Sequence, residues 1–144
     1  MSAALGRDRE HGGAIVEFHL LGVLLLVPLV YVLLAVLEVQ AAAFGVTQAA
    51  REAGRLFVAT GDTGSARAAA RVALDDQGVE AGAASVAFRC SGDPCYSPGS
   101  EVAVTVSTTV RLPLLPDALA DAVNARIPVS ATHGTVVDRY RDLG

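Results

Sequence analysis

Three short stretches of this sequence carry residue types that could do chemistry. Cys90 and Cys95 enclose the loop Ser-Gly-Asp-Pro, Asp62 opens the tetrapeptide Asp-Thr-Gly-Ser, and Glu17 stands at the edge of a long apolar run. Paired thiolates suit a disulfide or a metal site, and a loop carboxylate suits acid–base chemistry. A carboxylate at the edge of a membrane segment suits either the headgroup region or a charge pair.

The cysteine pair is better explained by a disulfide than by a metal ion. A structural metal site usually needs four ligands, but there is no second cysteine pair and the histidines are scattered at positions 11, 19 and 133. A disulfide is typical of an oxidising compartment. We therefore predict a Cys90–Cys95 disulfide, no metal site, and a C-terminal domain outside the cytoplasm.

The tetrapeptide Asp62-Thr63-Gly64-Ser65 matches the signature of aspartic proteases, in which two carboxylates share a proton. Only one copy is present, and Asp62 or Thr63 also stands where a helix from Ser65 to about Gln77 would need an N-cap. The sequence contains neither a phosphate-binding loop nor a Gly-x-Ser-x-Gly motif. We predict that the chain has no catalytic residues and no cofactor.

The composition argues against nucleic-acid binding. The formal net charge is −4, all 11 basic residues are arginines, and aromatic residues make up 5% of the chain with no tryptophan. Nucleic-acid binders use a basic field and, for single strands, stacking aromatics. The sequence therefore predicts no nucleic-acid partner.

Residues 20–37 form a run of 18 residues without a charge, and Phe18 extends it to 20 if His19 is tolerated. At about 1.5 Å per residue, this run spans a bilayer core of about 30 Å. The sequence predicts a transmembrane part at 18–37, bent at Pro28, within a helix from about Ala14 to Val58. A signal peptide cut near Ala41-Ala42-Ala43 is the alternative, although the run exceeds the usual length.

The helical pattern continues beyond the uncharged run. Apolar residues recur at alternating spacings of four and three, which is typical of a helix with one packed face. The predicted stripe is Val39, Ala43, Val46, Ala50, Ala53 and Phe57. It either seats the helix on the chain's own domain or forms a seam with another molecule.

The rest of the chain predicts a small domain with strands over about 86–90 and 102–112 and a third from Ile127. A short helix is predicted from Asp117 to about Asn124. The expected fold class is α+β: a long N-terminal transmembrane helix (about 14–58) extends into a small extracytoplasmic domain with a three-stranded antiparallel sheet and one or two short helices. The predicted divisions are a polar leader (1–12), the long helix (13–61) and the extracytoplasmic domain (62–144).

Two motifs together resemble a known family. The first is Gly12 followed by four residues and Glu17-Phe18, and the second runs from Gln48 to Arg55. They resemble the TadE-like pseudopilins of tight-adherence (Tad) pilus systems, relatives of type IV pilins. In that family a glycine, four residues and Glu-Phe or Glu-Tyr open the hydrophobic helix, and a prepilin peptidase cuts after the glycine.

The resemblance assigns roles to particular residues. Gly12 and Gly13 would flank the processing site, although Gly13 offers a second cut. The second motif looks like the family stretch Ala-Ala-Arg-Glu-Gly-Ala-Arg, with Ala53 and Gly54 in reversed order. Its matching positions here are Ala50, Arg51, Glu52, Gly54 and Arg55.

The resemblance also implies a function. The chain would be a minor pilin-like subunit of the bacterial cytoplasmic membrane, with its N-terminus in the cytoplasm. Its partners would be membrane lipid, the prepilin peptidase, other pilus or pseudopilin subunits and assembly-platform proteins. Glu17, beside Phe18, would be the assembly carboxylate that pairs with the amine of Gly13, in a neighbouring subunit or its own. The alternative is a bitopic anchor for an extracytoplasmic binding module with no filament role.

Overall fold

The computed structural model describes residues 10–112 and 126–140. These residues form an α+β fold with a long apolar N-terminal helix, a second helix and a three-stranded antiparallel sheet, which confirms the predicted fold class. The helix predicted for Asp117–Asn124 lies outside the described residues. The elements in chain order are α1 (Glu10–Thr60), α2 (Thr63–Asp75), a 3-10 turn (Ala81–Ala83), β1 (Ser85–Cys90), β2 (Glu101–Arg111) and β3 (Arg126–Val136).

The chain divides into two compact units, Met1–Val36 and Leu37–Gly144. In the first unit, α1 continues through Pro28 and most of its described apolar side chains are exposed. Among the described residues, α1 is the one helix long and apolar enough to cross a membrane. It begins at Glu10 and ends at Thr60, so it is slightly longer at both ends than the sequence predicts.

In the second unit, β2 is the central strand and pairs antiparallel with β1 and β3. Its alternating pattern buries Val102, Val104 and Val106 completely, as the period of two predicts. Burying a valine contributes about 1.5–3 kcal/mol relative to leaving it in water. The opposite face is small and polar, with hydrogen bonds of 2.7 Å between the hydroxyls of Ser85 and Ser107 and 2.9 Å between those of Thr105 and Thr132.

The second unit also contains the C-terminal part of α1, which packs on the buried face of the sheet. The predicted stripe is correct for its last four members, but Ala43 is exposed and Val39 is only half-buried. The buried face of α1 differs from the predicted stripe because α2 covers a second side of the helix. On that side, Gly45 faces the side chains of Leu74 and Val79. The buried set is Ala42, Gly45, Val46, Ala49, Ala50, Ala53, Gly54 and Phe57.

Helix α2 begins at an aspartate cap and packs through alanines. Asp62 is the N-cap residue, and the buried side chains of the helix are Ala66, Ala70, Ala73 and Leu74. The chain leaves α2 through Gly78, whose φ of 70° lies in the left-handed region that glycine adopts without strain. The alanines keep α2 close to the core, since small side chains allow a short interhelical distance.

Candidate functional site

The predicted processing residues and the predicted assembly carboxylate lie in the first turns of α1. Gly13 is exposed, and a β-carbon placed on it would meet no atom within 4 Å. Glu17 follows four residues later and is exposed, as is Phe18. Residues four apart lie on one face of a helix, about 6 Å apart along the axis. The helix therefore places Glu17 on the same side as Gly13, one turn further along.

His19 is accommodated within the apolar segment by a hydrogen bond to its own helix. Its Nδ1 lies 2.8 Å from the carbonyl oxygen of Ile15, so Nδ1–H is the donor. A polar group in an apolar environment is tolerated when its hydrogen bond is made inside the helix. This bond satisfies one of the two ring nitrogens of His19 within the helix itself.

The second motif lies in the second unit and separates into two faces of α1. Ala50 and Gly54 are buried against the sheet, while Arg51 and Arg55 are exposed. The Arg55 guanidinium donates to the Glu52 carboxylate at 2.9 Å from Nη2 and 3.1 Å from Nε. Such an exposed pair three residues apart contributes only about 0.2–0.5 kcal/mol.

Gly54 is a position where α1 closely approaches the sheet. A β-carbon there would lie 3.2 Å from Cδ2 of His133, 3.5 Å from Cγ2 of Thr135 and 3.8 Å from Cγ2 of Val104. The small residue therefore lets the helix backbone approach β2 and β3 closely. In this chain the buried half of the motif packs the helix onto the sheet.

The predicted disulfide is present. Cys90 and Cys95 are joined, with their Cα atoms 5.2 Å apart. The residue after the disulfide, Tyr96, donates a hydrogen bond of 3.3 Å to the carbonyl oxygen of Val58 near the end of α1. Its ring packs on Gly61, where any β-carbon would lie 3.0 Å from the ring. The loop is thus held to the C-terminal end of α1 by both packing and hydrogen bonding.

The chain was compared with protein-family models, curated proteins and solved structures. It matches none of them.

The tetrapeptide at Asp62 is a helix cap. The carboxylate accepts hydrogen bonds of 3.0 Å from the Gly64 amide, 2.8 Å from the Ser65 amide and 2.5 Å from the Ser65 hydroxyl. The hydroxyl of Ser65, followed by the two amides, lowers the pKa of Asp62 below its ordinary value of 3.8. An ionised carboxylate saturated with local donors suits capping, whereas acid–base catalysis needs a carboxyl that exchanges protons near neutral pH.

The outer face of the sheet carries an open hollow of about 520 Å³. Its floor includes Ala103 and Gly134, which pair across β2 and β3, and its polar lining includes Arg89, Ser91 and Glu101. Among residues 10–112 and 126–140, no three His, Cys, Asp or Glu side chains are placed to hold a metal ion. The hollow presents the guanidinium of Arg89 and the carboxylate of Glu101 to solvent, and it is a shallow, open surface.

Proposed function

We propose that the chain is a minor, TadE-like pilin subunit of the bacterial cytoplasmic membrane, with no enzymatic activity of its own. The observation that carries the proposal is the placement of Gly12, Gly13 and Glu17 at the head of α1, before an exposed apolar segment. A plain membrane anchor needs the apolar segment but has no need of this glycine and carboxylate spacing. The second motif at Ala50–Arg55 supports the same assignment by resemblance.

The spacing has a physical consequence after processing. A cut between Gly12 and Gly13 would create an ammonium group at the start of α1, and Glu17 would be the nearest carboxylate one helical turn away. In an apolar assembly, this carboxylate pairs with an amine of its own chain or of a neighbouring subunit. Leaving either charge unpaired there is costly, so the pair favours one register between helices.

The proposed topology places the N-terminus in the cytoplasm and the second unit outside. The disulfide of Cys90 and Cys95 supports this orientation, because disulfides persist in oxidising compartments. The proposed partners are membrane lipid, a prepilin peptidase, other pilus or pseudopilin subunits and assembly-platform proteins. The exposed apolar helix supports the contact with lipid.

The test is the mass of the N-terminal peptide of the mature chain in cells that contain a Tad-type prepilin peptidase. We expect the mature chain to begin at Gly13, and we expect Gly12→Leu to abolish the cut. Gly13→Leu is the matched control, because it blocks a cut after Gly13 and spares one after Gly12. A mature chain that begins at Met1 or Ser2 would point to the plain anchor, and one that begins near Phe44 to a signal peptide.

The second candidate function is a bitopic anchor for an extracytoplasmic binding module. The open hollow beside Arg89 and Gly134 favours it, since a small ligand or a peptide could contact the guanidinium there. This candidate requires an uncut N-terminus and a ligand bound by the second unit. The same peptide mass therefore separates the two functions.

A further inference from the structure

Phe44 presents an exposed aromatic ring from the second unit. Its side chain is 70% exposed, whereas Phe57 is buried in the core and Phe88 is half-buried against it. Leu37, seven residues earlier on α1, is 60% exposed. Residues seven apart lie within about 20° of each other around a helix, so Leu37 and Phe44 share one face. The sheet and α2 cover other sides of α1, and this face is open to the surroundings.

The position of Phe44 along α1 matches the headgroup layer of a bilayer. Leu37 ends the uncharged run, and Phe44 lies about 10 Å further along the helix axis at about 1.5 Å per residue. The headgroup layer adds about 5–7 Å on each side of the hydrocarbon core. Side chains on a helix point back toward its N-terminus, which for Phe44 is the direction of the uncharged run. The ring of Phe44 therefore reaches back toward the headgroup layer, across the few ångströms by which its backbone lies beyond that layer.

The apolar face ends immediately beyond this ring. The next residue in the same series of seven is Arg51, an exposed arginine. Leu37, Phe44 and Arg51 thus follow one another along this side of α1 at intervals of seven residues. The order leucine, phenylalanine, arginine follows the gradient from lipid to headgroup to water. We propose that the ring of Phe44 inserts into the headgroup layer of the bilayer that α1 spans, and so forms a lipid contact of the second unit. This inference rests on the proposed membrane anchoring.

A single tryptophan can report the environment of this ring, because the chain contains none. The full-length chain would be reconstituted into phosphatidylcholine vesicles as three variants, Phe44→Trp, Leu24→Trp and Val72→Trp. Leu24 lies within the uncharged run, and Val72 is an exposed residue of α2 that matches the exposure of the Phe44 face. Emission would be recorded in plain lipid and in lipid brominated either near the headgroups or deep in the acyl chains.

We expect the Phe44→Trp emission to shift to the blue relative to Val72→Trp and to be quenched more by shallow than by deep bromines. Leu24→Trp should be quenched most by the deep bromines. If Leu24→Trp is quenched but Phe44→Trp behaves like Val72→Trp, the membrane anchoring stands and the Phe44 contact is rejected. A blue-shifted Phe44→Trp without quenching would mean that protein covers the ring, which also rejects the contact. An unquenched Leu24→Trp would overturn the anchoring itself.

Discussion

A β-carbon on Gly54 would lie 3.2 Å from Cδ2 of His133, closer than nine in ten contacts that real β-carbons make. The two residues come from α1 and from edge strand β3, so the spacing between these elements depends on the absence of a side chain at one position. A glycine in a helix interior costs about 1 kcal/mol relative to alanine. The close approach to the sheet offsets that cost.

The first prediction follows from this contact. Gly54→Val should destabilise the second unit by about 1–3 kcal/mol, because the added methyl groups push against His133 and Thr135. Urea unfolding of the full chain in detergent would measure it. Gly22→Val is the matched control, since it makes the same substitution in α1 at a glycine where an added β-carbon would meet no atom within 4 Å. In a double-mutant cycle, His133→Ala should recover part of the loss, and additive effects would contradict the contact.

The second prediction concerns which residues of β3 direct their backbone N–H and C=O groups toward β2 and which direct them toward the outer edge of the sheet. The amide of Val137 donates to the carbonyl oxygen of Ser100 at 2.9 Å, and the register from this pair to Arg126 is one-to-one. Backbone groups alternate between the two sides of a strand. Odd-numbered residues of β3 therefore bond to β2, and even-numbered ones face the outer edge. Pro128 is even-numbered, so its missing N–H removes no bond to β2.

A proline scan tests this alternation. Ser130→Pro should leave the unfolding midpoint almost unchanged, while Ala131→Pro should cost about 1–3 kcal/mol, because it leaves a buried carbonyl of β2 without its donor. The two variants impose the same φ restriction one residue apart. Because Ala131 is half-buried against the core and Ser130 is exposed, Ala131→Val, which enlarges the same side chain but keeps the N–H, is the control for volume. Equal loss in both proline variants would show that the outer edge of β3 also makes bonds that stabilise the fold.

The sequence predicts the elements well because their patterns are local. The length of the uncharged run identifies the apolar part of α1, and the alternation of valines with other residues identifies β2. The sequence does not distinguish Ala42 from Ala43 as the buried residue, because two adjacent alanines have the same hydrophobicity and only the position of α2 decides between them. The need for a glycine at position 54 is likewise non-local, since it depends on contact with His133, which lies far away in the chain.

The candidate site likewise has features that the local sequence predicts and features that it does not. The disulfide follows from two cysteines at a short spacing, and the cap follows from Asp62 before an alanine-rich segment. The hydrogen bond from His19 to Ile15 was not predicted, although the spacing of four residues within a helix is a usable signal for it. The exposure of Phe44 could not be predicted, because the pattern alone does not say which face of α1 the domain covers.

The third prediction concerns pH. The pKa of Asp62 is lowered in the folded chain, chiefly by the Ser65 hydroxyl, so ionisation of this carboxyl favours the folded state. Its contribution to stability is fully present above the ordinary pKa of 3.8 and is lost as the pH falls through the lowered, folded-state pKa. Asp62→Asn keeps an oxygen that can cap the helix but cannot titrate. We expect this variant to be nearly as stable at neutral pH.

Thermal unfolding between pH 7 and pH 3 would measure the difference. The wild-type Tm should fall more steeply than that of Asp62→Asn as the pH drops below about 4, the unperturbed value for an aspartate. Ser65→Ala should reduce the difference, because it removes the largest cause of the lowered pKa. Parallel curves for wild type and Asp62→Asn would show that the cap does not couple to pH.

The last prediction tests the role of Glu17 in the proposed subunit. Glu17→Leu should leave membrane insertion intact, since leucine is more favourable than glutamate in an apolar environment. By the family resemblance, processing depends chiefly on Gly12, so the cleaved chain should persist. What the variant removes is the carboxylate one helical turn from the new amine of Gly13. An unpaired ammonium at a packed helix edge costs on the order of 3 kcal/mol, which weakens association at least about a hundredfold.

Piliation and co-purification with other pilus components should therefore fall while the level of the cleaved chain stays constant. Glu38→Leu is the matched control, because Glu38 is an exposed carboxylate of α1 beyond the other end of the uncharged run. It makes the same change in charge and hydrophobicity far from Gly13. We expect Glu38→Leu to retain assembly. If Glu17→Leu assembles pili as well as Glu38→Leu does at equal protein levels, Glu17 is an interfacial residue and the amine–carboxylate pairing is wrong.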